Sequence, residues 1–142
     1  MIRGFPSHVD LTVTDMSRSL PFYESVLAEL GYERLTEVGG EAPCWGQRDR
    51  DGGLFGIALQ TARSDAPPHD RYAPGLHHLA FHADSRADVD AFHGFLIAIG
   101  AEILDAPAEY DYTPGYYAVF FADPDGLKLE VVYEPMLRGR LG

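Results

Sequence analysis

The sequence predicts an α+β fold of two tandem βαβββ modules whose curved mixed sheets form a shared open-barrel cleft. Three observations point to it. An alternating strand runs into a helical stripe that stops at glycine, the pattern restarts about 70 residues later, and an acidic Asp-Gly turn precedes the last strand of each copy.

In the first copy, Val9, Leu11 and Val13 alternate with polar residues from His8 to Thr14, as a half-buried strand requires. Asp15 is placed to cap a helix carrying Leu20, Tyr23, Val26, Leu27 and Leu30 on one side and ending at Gly31. Tyr32 to Val38, about Pro43 to Gln47, and Leu54 to Thr61 read as three further strands, with Asp51-Gly52-Gly53 as a turn. Residues 61–75 contain Pro67, Pro68 and Pro74 and no periodicity, which marks a linker.

The second copy opens with the alternating His78 to Ala83 and a cap at Asp84 or Ser85. Val89, Phe92, Leu96 and Ile99 form its helical stripe, and Gly100 is its stop. Ala101 to Leu104, Tyr116 to Phe121 and Leu127 to Glu134 complete it, and Asp123-Pro124-Asp125-Gly126 matches Asp49-Arg50-Asp51-Gly52. The expected organisation is a single domain over residues 1–142, with module one at about 5–62, a linker at about 63–75 and module two at about 76–135.

The chain has 142 residues, long enough to bury a core without covalent staples, and a net charge of −11. Cys44 is the only cysteine, so an intramolecular disulfide and CxxC-type zinc sites are excluded. Lys128 is the only lysine, and the acidic balance disfavours phosphate backbones, so nucleic acid is not an expected partner. No apolar run reaches membrane-spanning length and the first residues carry no leader-like stretch. A cytoplasmic protein with no membrane partner is expected.

Strand parity selects the candidate chemistry. His8 shares a face with Asp10, Thr12 and Thr14. His78 shares one with Ala80 and His82, and Glu130 shares one with Val132 and Glu134, each opposite the apolar face that packs against helices. If both sheets curl around one cleft, two imidazoles and a carboxylate meet. That donor set suits a divalent ion with positions left open for substrate. Iron, manganese, nickel, cobalt and zinc all accept it.

The segments His8-Val9-Asp10-Leu11-Thr12-Val13, Gly75-Leu76-His77-His78-Leu79-Ala80-Phe81 and Phe120-Phe121-Ala122-Asp123-Pro124-Asp125-Gly126-Leu127-Lys128-Leu129-Glu130 resemble the vicinal oxygen chelate superfamily. This is the glyoxalase, bleomycin-resistance and extradiol-dioxygenase group, and the likeness runs from about residue 5 to 134. The resemblance implies metal ligands at His8, His78 and Glu130. It also implies a catalytic role for Glu130, which in glyoxalases can leave the metal and take a proton. Glyoxalase I enzymes use a fourth ligand on the last strand of the first module. Here Gln60 is the nearest oxygen donor, while alignment through the Asp-Gly turns puts Ile57 opposite Glu130. The implied function is metal-dependent lyase, isomerase or dioxygenase chemistry on a small molecule, in a homodimer. The alternative is a metal-free module that sequesters a ligand, as bleomycin-resistance members do.

Substrate contacts are expected from His82, two pleats or about 7 Å beyond His78. They are also expected from Tyr117 and Phe121, taken to face the cleft together, and from Tyr110 beside the Thr113-Pro114-Gly115 loop. His77, of opposite parity to His78, is expected to be structural, and Cys44 to serve packing.

Overall fold

Local chemistry starts each module in the same way. β1 (His8–Val13) buries Leu11 and Val13 and exposes His8, Asp10 and Thr12. Asp15 then caps α1 (Met16–Glu29) by accepting from the Ser17 amide at 2.9 Å. The helix buries Tyr23, Val26 and Leu27, and Gly31 ends it at φ 84°. Its left-handed backbone lets the Tyr32 amide turn back to the Leu27 carbonyl at 2.8 Å. β2 (Glu33–Leu35), β3 (Cys44–Arg48) and β4 (Leu54–Thr61) follow. The computed structural model describes residues 4–36, 40–49 and 52–138.

The second copy repeats these devices. β5 (His78–His82) leads to α2 (Arg86–Ala98), capped by the Ser85 hydroxyl, which accepts from the Asp88 amide at 3.1 Å. Gly100, at φ 71°, lets the Ala101 amide donate to the Leu96 carbonyl at 3.0 Å, as Gly31 does in the first copy. β6 (Glu102–Glu109), β7 (Tyr117–Ala122) and β8 (Lys128–Tyr133) complete the sheet, and the short α3 (Pro135–Arg138) follows.

The chain divides into two units, residues 1–67 and 68–142. In the first, the strand order is β1-β4-β3-β2, with β1 parallel to β4 and the other pairs antiparallel. In the second it is β5-β8-β7-β6, with the same mixture of senses. Each unit is thus a four-stranded mixed sheet with a helix, the βαβββ arrangement predicted, and neither sheet closes on itself. In the second unit one sheet face and α2 form the core, with Phe92 on Phe121 at 5.7 Å between ring centroids. Val89, Leu96, Val119 and Leu129 are fully buried there. Burying each such side chain contributes about 1.5–3 kcal/mol.

Two strands differ from expectation. Of the strand expected over 32–38, Glu33–Leu35 is formed and residues 37–39 lie outside the described ones, as do residues 50 and 51 of the first acidic turn. β6 runs on to Glu109, past the stop expected at Leu104. It is an edge strand, and register shifts between Ile103 and Ala108 accommodate Pro107, which has no amide to donate. Among the described residues no helix is long and apolar enough to cross a membrane.

The acidic turns place the last strands. Asp123 Oδ1 accepts from the amides of Asp125 at 2.9 Å and Leu127 at 2.8 Å, and the side chain is buried. In the first unit Asp49 Oδ1 accepts from the Gly53 amide at 2.6 Å, in an exposed setting. Asp123→Ala leaves buried amides without acceptors and should cost about 1–3 kcal/mol. Asp49→Ala, whose amides water can reach, should cost less. Urea midpoints of the two variants check the order.

Candidate metal centre

Glu130 lies in the middle of β8, opposite Ala80 of β5 and Phe120 of β7, and is 1% exposed. A carboxylate so placed needs partners, because burial penalises its charge. Tyr116 donates its hydroxyl proton to Oε1 in a short hydrogen bond. The other oxygen, Oε2, is buried and accepts no hydrogen bond. His78 Nε2 stands 3.3 Å from it, contributed by the neighbouring strand, where His78 pairs with Lys128.

The far side of the His78 ring is held as well. His78 Nδ1 lies 2.8 Å from His77 Nδ1, so one of these nitrogens carries the shared proton. With that proton on His78 Nδ1, Nε2 presents a bare lone pair to Oε2. Two lone pairs then face one gap, and a proton or a cation satisfies both. Burial pushes the Glu130 carboxyl above the usual carboxylate range, while Tyr116 and Lys128 oppose the shift. Burial, aided by the Lys128 charge, holds the His78 imidazole below its ordinary value. Tyr116 is raised, first by burial and then by its bond to Glu130, which keeps the proton on the phenol.

Tyr116 is the tyrosine that reaches Glu130, while Tyr117 and Phe121 are the residues expected from the sequence to face the cleft. Both instead lie on the α2 face. Tyr117 donates to Asp90 Oδ1 at 2.7 Å and stacks under Arg86, and Phe121 packs on Phe92. Every residue of β7 is at least half-buried, so apolar alternation gives its parity no mark. The acidic turn does mark it: a five-residue loop between Ala122 and Lys128 sets Phe120 opposite Glu130 and brings Ala118 and Tyr116 to the same side. Tyr110 packs on this face, edge-on to Phe120 at 5.4 Å and stacked on Tyr112 at 5.6 Å. His82 is exposed, opposite Val132.

In the first unit His8 is exposed on β1 opposite Gly56, with Ser7 Oγ 3.2 Å from its Nδ1. A Cβ on Gly56 would meet the His8 Cβ at 3.3 Å, so glycine is what lets the two strands meet without displacing the imidazole. The fourth-ligand positions, Gln60 and Ile57, lie on β4. Gln60 donates its amide to Asp10 Oδ2 at 2.8 Å, and Ile57 is fully buried on the helix side. The turn hydrogen bonds make Gly56 the counterpart of Glu130, while the pairing of Asp10 with Ala58 makes it Ala58; neither carries a donor. Among the described residues no three His, Cys, Asp or Glu side chains stand together as a ready-made metal site. The second unit by itself supplies the pair His78 and Glu130. Their orphaned oxygen and facing lone pair fit a divalent ion.

The pair also sets a pH dependence. Because the folded pKa of Glu130 is raised, the metal-free native protein holds a proton that the unfolded chain has released. Its stability therefore falls as pH rises from the ordinary carboxylate pKa through the raised value. His78, lowered in the fold, acts oppositely and costs stability as pH falls below its unfolded value of 6.5. Metal-free Glu130→Gln should therefore be more stable than the parent at neutral and alkaline pH, with the gap closing toward the carboxylate range. Denaturant unfolding across pH checks the sign.

Similarity to known proteins agrees with this architecture. Protein YqjT of Bacillus subtilis (strain 168), itself uncharacterized, is 34% identical over 128 residues, which cover 88% of this chain and 95% of YqjT. A crystal structure from Bacillus halodurans matches with TM-score 0.72 at 30% identity, covering 93% of this chain and 97% of that one. The fosfomycin resistance protein FosX of Listeria monocytogenes shares the fold, with TM-score 0.66 at 20% identity over 96% of this chain and 98% of that one. The profile of the Glyoxalase/Bleomycin resistance protein/Dioxygenase superfamily matches residues 6–131, and the chain belongs to that superfamily.

Proposed function

We propose that the chain is a small metal-dependent enzyme of its superfamily, in which His8, His78 and Glu130 hold a divalent ion that chelates neighbouring oxygens of a small-molecule substrate. The observation that carries this reading is the buried Glu130 Oε2, which accepts no hydrogen bond and faces His78 Nε2 at 3.3 Å. When bound, such an ion acts as a Lewis acid that stabilises negative charge developing on substrate oxygens. The rest is the work of side chains. Tyr116 holds Oε1, leaving Oε2 as the carboxylate's one available lone-pair face. His77 holds the Nδ1 side of His78, fixing the ring's direction. Tyr110, Tyr116 and Phe120 keep water away from the carboxylate. The reading extends to a cytoplasmic homodimer, as the family implies.

One observation favours the rival reading of a metal-free sequestering protein. Glu130 Oε2 and His78 Nε2 are 3.3 Å apart, close enough for a proton on the carboxyl, which burial favours, to link them without any ion. Metal content separates the two. Protein purified without chelator or histidine tag, then offered iron, manganese, nickel, cobalt or zinc, should hold about one ion per chain by elemental analysis. No uptake of any of them makes the sequestering reading the better one. His78→Ala should lose the ion while staying folded, and His93→Ala, on α2, should keep it. Tyr116→Phe should keep the fold and weaken the ion's affinity about 10- to 100-fold in chelator competition, because Glu130 is no longer held.

A further inference from the structure

The face of the first unit's sheet that carries His8 and Asp10 bears a cleft of about 400 Å³, larger than a bound ion and one ligand side chain require. Its origin is local. On β4 the residues turned to this side are Gly56, Ala58 and Gln60, and the first two are too small to fill the space beside His8 and Asp10. The second unit carries Lys128, Glu130 and Val132 at the matching strand pairs. In the first unit the carboxylate of the central pair thus stands on β1, as Asp10 opposite Ala58. In the second it stands on the last strand, as Glu130 opposite Ala80.

The polar side chains lining the cleft are Ser7, His8, Asp10 and Gln60, and Asp10 is the carboxylate among them. Gln60 points its amide nitrogen at Asp10 Oδ2, 2.8 Å away, the only orientation that does not set oxygen against oxygen. With one N–H so committed, Gln60 has its carbonyl oxygen to offer, and Asp10 has its second carboxylate oxygen. Leu35, Leu54 and Cys44 form apolar walls. Arg34, whose charge reaches Cys44, is turned to the helix side, over the Trp45 ring at 4.7 Å and 3.8 Å from Glu24. Among the described residues, the cleft lining therefore holds no arginine or lysine, and Asp10 gives it one negative charge beside apolar walls.

We infer that this cleft binds the ammonium end of a small organic cation, with Asp10 as its counter-ion, Gln60 as the group that orients Asp10, and the Leu35 and Leu54 walls taking a compact apolar body. Carboxylates and phosphates are disfavoured, since they would bring a second negative charge beside Asp10. A cleft of this size accepts a single-ring ligand. As a recognition site for the substrate's cationic end, it rests on the functional reading above; as a binding site, it needs neither metal nor His78.

The test uses the full chain, stripped of metal, with the backbone amides followed by NMR during titration with benzylammonium and, separately, with benzoate. Benzylammonium should saturate, with shifts centred on Asp10, Cys44, Ala58 and Gln60, and benzoate should not move them. Asp10→Asn should weaken benzylammonium about tenfold or more, the loss of one charge-assisted bond. It removes one of 22 acidic side chains, so diffuse attraction to the net charge of −11 would survive it. Ala58→Leu, which fills the cleft and leaves Asp10 in place, should also abolish saturation. Benzoate binding as well as benzylammonium, or benzylammonium binding unchanged in Asp10→Asn, overturns the inference. His78→Ala should bind the probe normally, so a chain that takes up no metal but binds benzylammonium rejects only the functional reading. The converse result rejects only this one.

Discussion

Parallel pairing of the first strand with the last is the constraint on which each unit depends. A helix and two antiparallel strands separate β1 from β4 and β5 from β8, yet each pair lies side by side in the middle of its unit's chemistry. Parallel neighbours cannot be joined by a tight turn, so the intervening chain has to leave the sheet and return. The paired devices serve that return: side-chain caps at Asp15 and Ser85, left-handed stops at Gly31 and Gly100, and aspartate-anchored turns at Asp49 and Asp123. His78 meets Glu130 only because the last of these turns delivers β8 in the right register against β5.

The cost of that meeting is electrostatic. Glu130 is among the largest fully buried side chains of the described residues, with Trp45, Tyr23 and Phe121, and it is the carboxylate of that set. One of its oxygens is satisfied by a phenol, and the other faces His78 Nε2 and accepts no hydrogen bond among the described residues. Folded proteins rarely leave a buried acceptor in that state, and exceptions cluster where a bound group completes the site. The aromatic cluster of Tyr110, Tyr112, Tyr116 and Phe120 deepens the burial and so sharpens the need for a positive partner.

The two units answer the same backbone plan with different side chains. Around β8 the sheet face is filled by Glu130, Val132, Phe120 and Tyr116, while around β4 Gly56 and Ala58 leave it open. Duplication supplies two equivalent scaffolds, and divergence at a few inward positions makes one a polar, buried pair and the other a cleft. The absence of a donor at Gly56 and Ala58 is the physical departure from a four-ligand glyoxalase arrangement, and it is also what creates the space beside Asp10.

Much of this was legible in the residues. The alternation in β1 and β5, the helical stripes, the glycine stops and the acidic turns are local devices, each set by hydrogen bonding or burial within a few residues, so the sequence by itself determined the duplicated βαβββ plan and the outward side of His8 and His78. Parity failed where locality failed. β7 is at least half-buried throughout, so nothing in its own composition separates Tyr116 from Tyr117 or Phe120 from Phe121, and β6 runs past Leu104 through Pro107 because the strand lies on an edge. Gln60 could be named as a donor from its position, but not seen to be held by Asp10, fifty residues away in the chain. What only the tertiary structure decided was which oxygen is left without a partner and which cleft is left unfilled, because both depend on strand register and on neighbours that sequence order does not bring together.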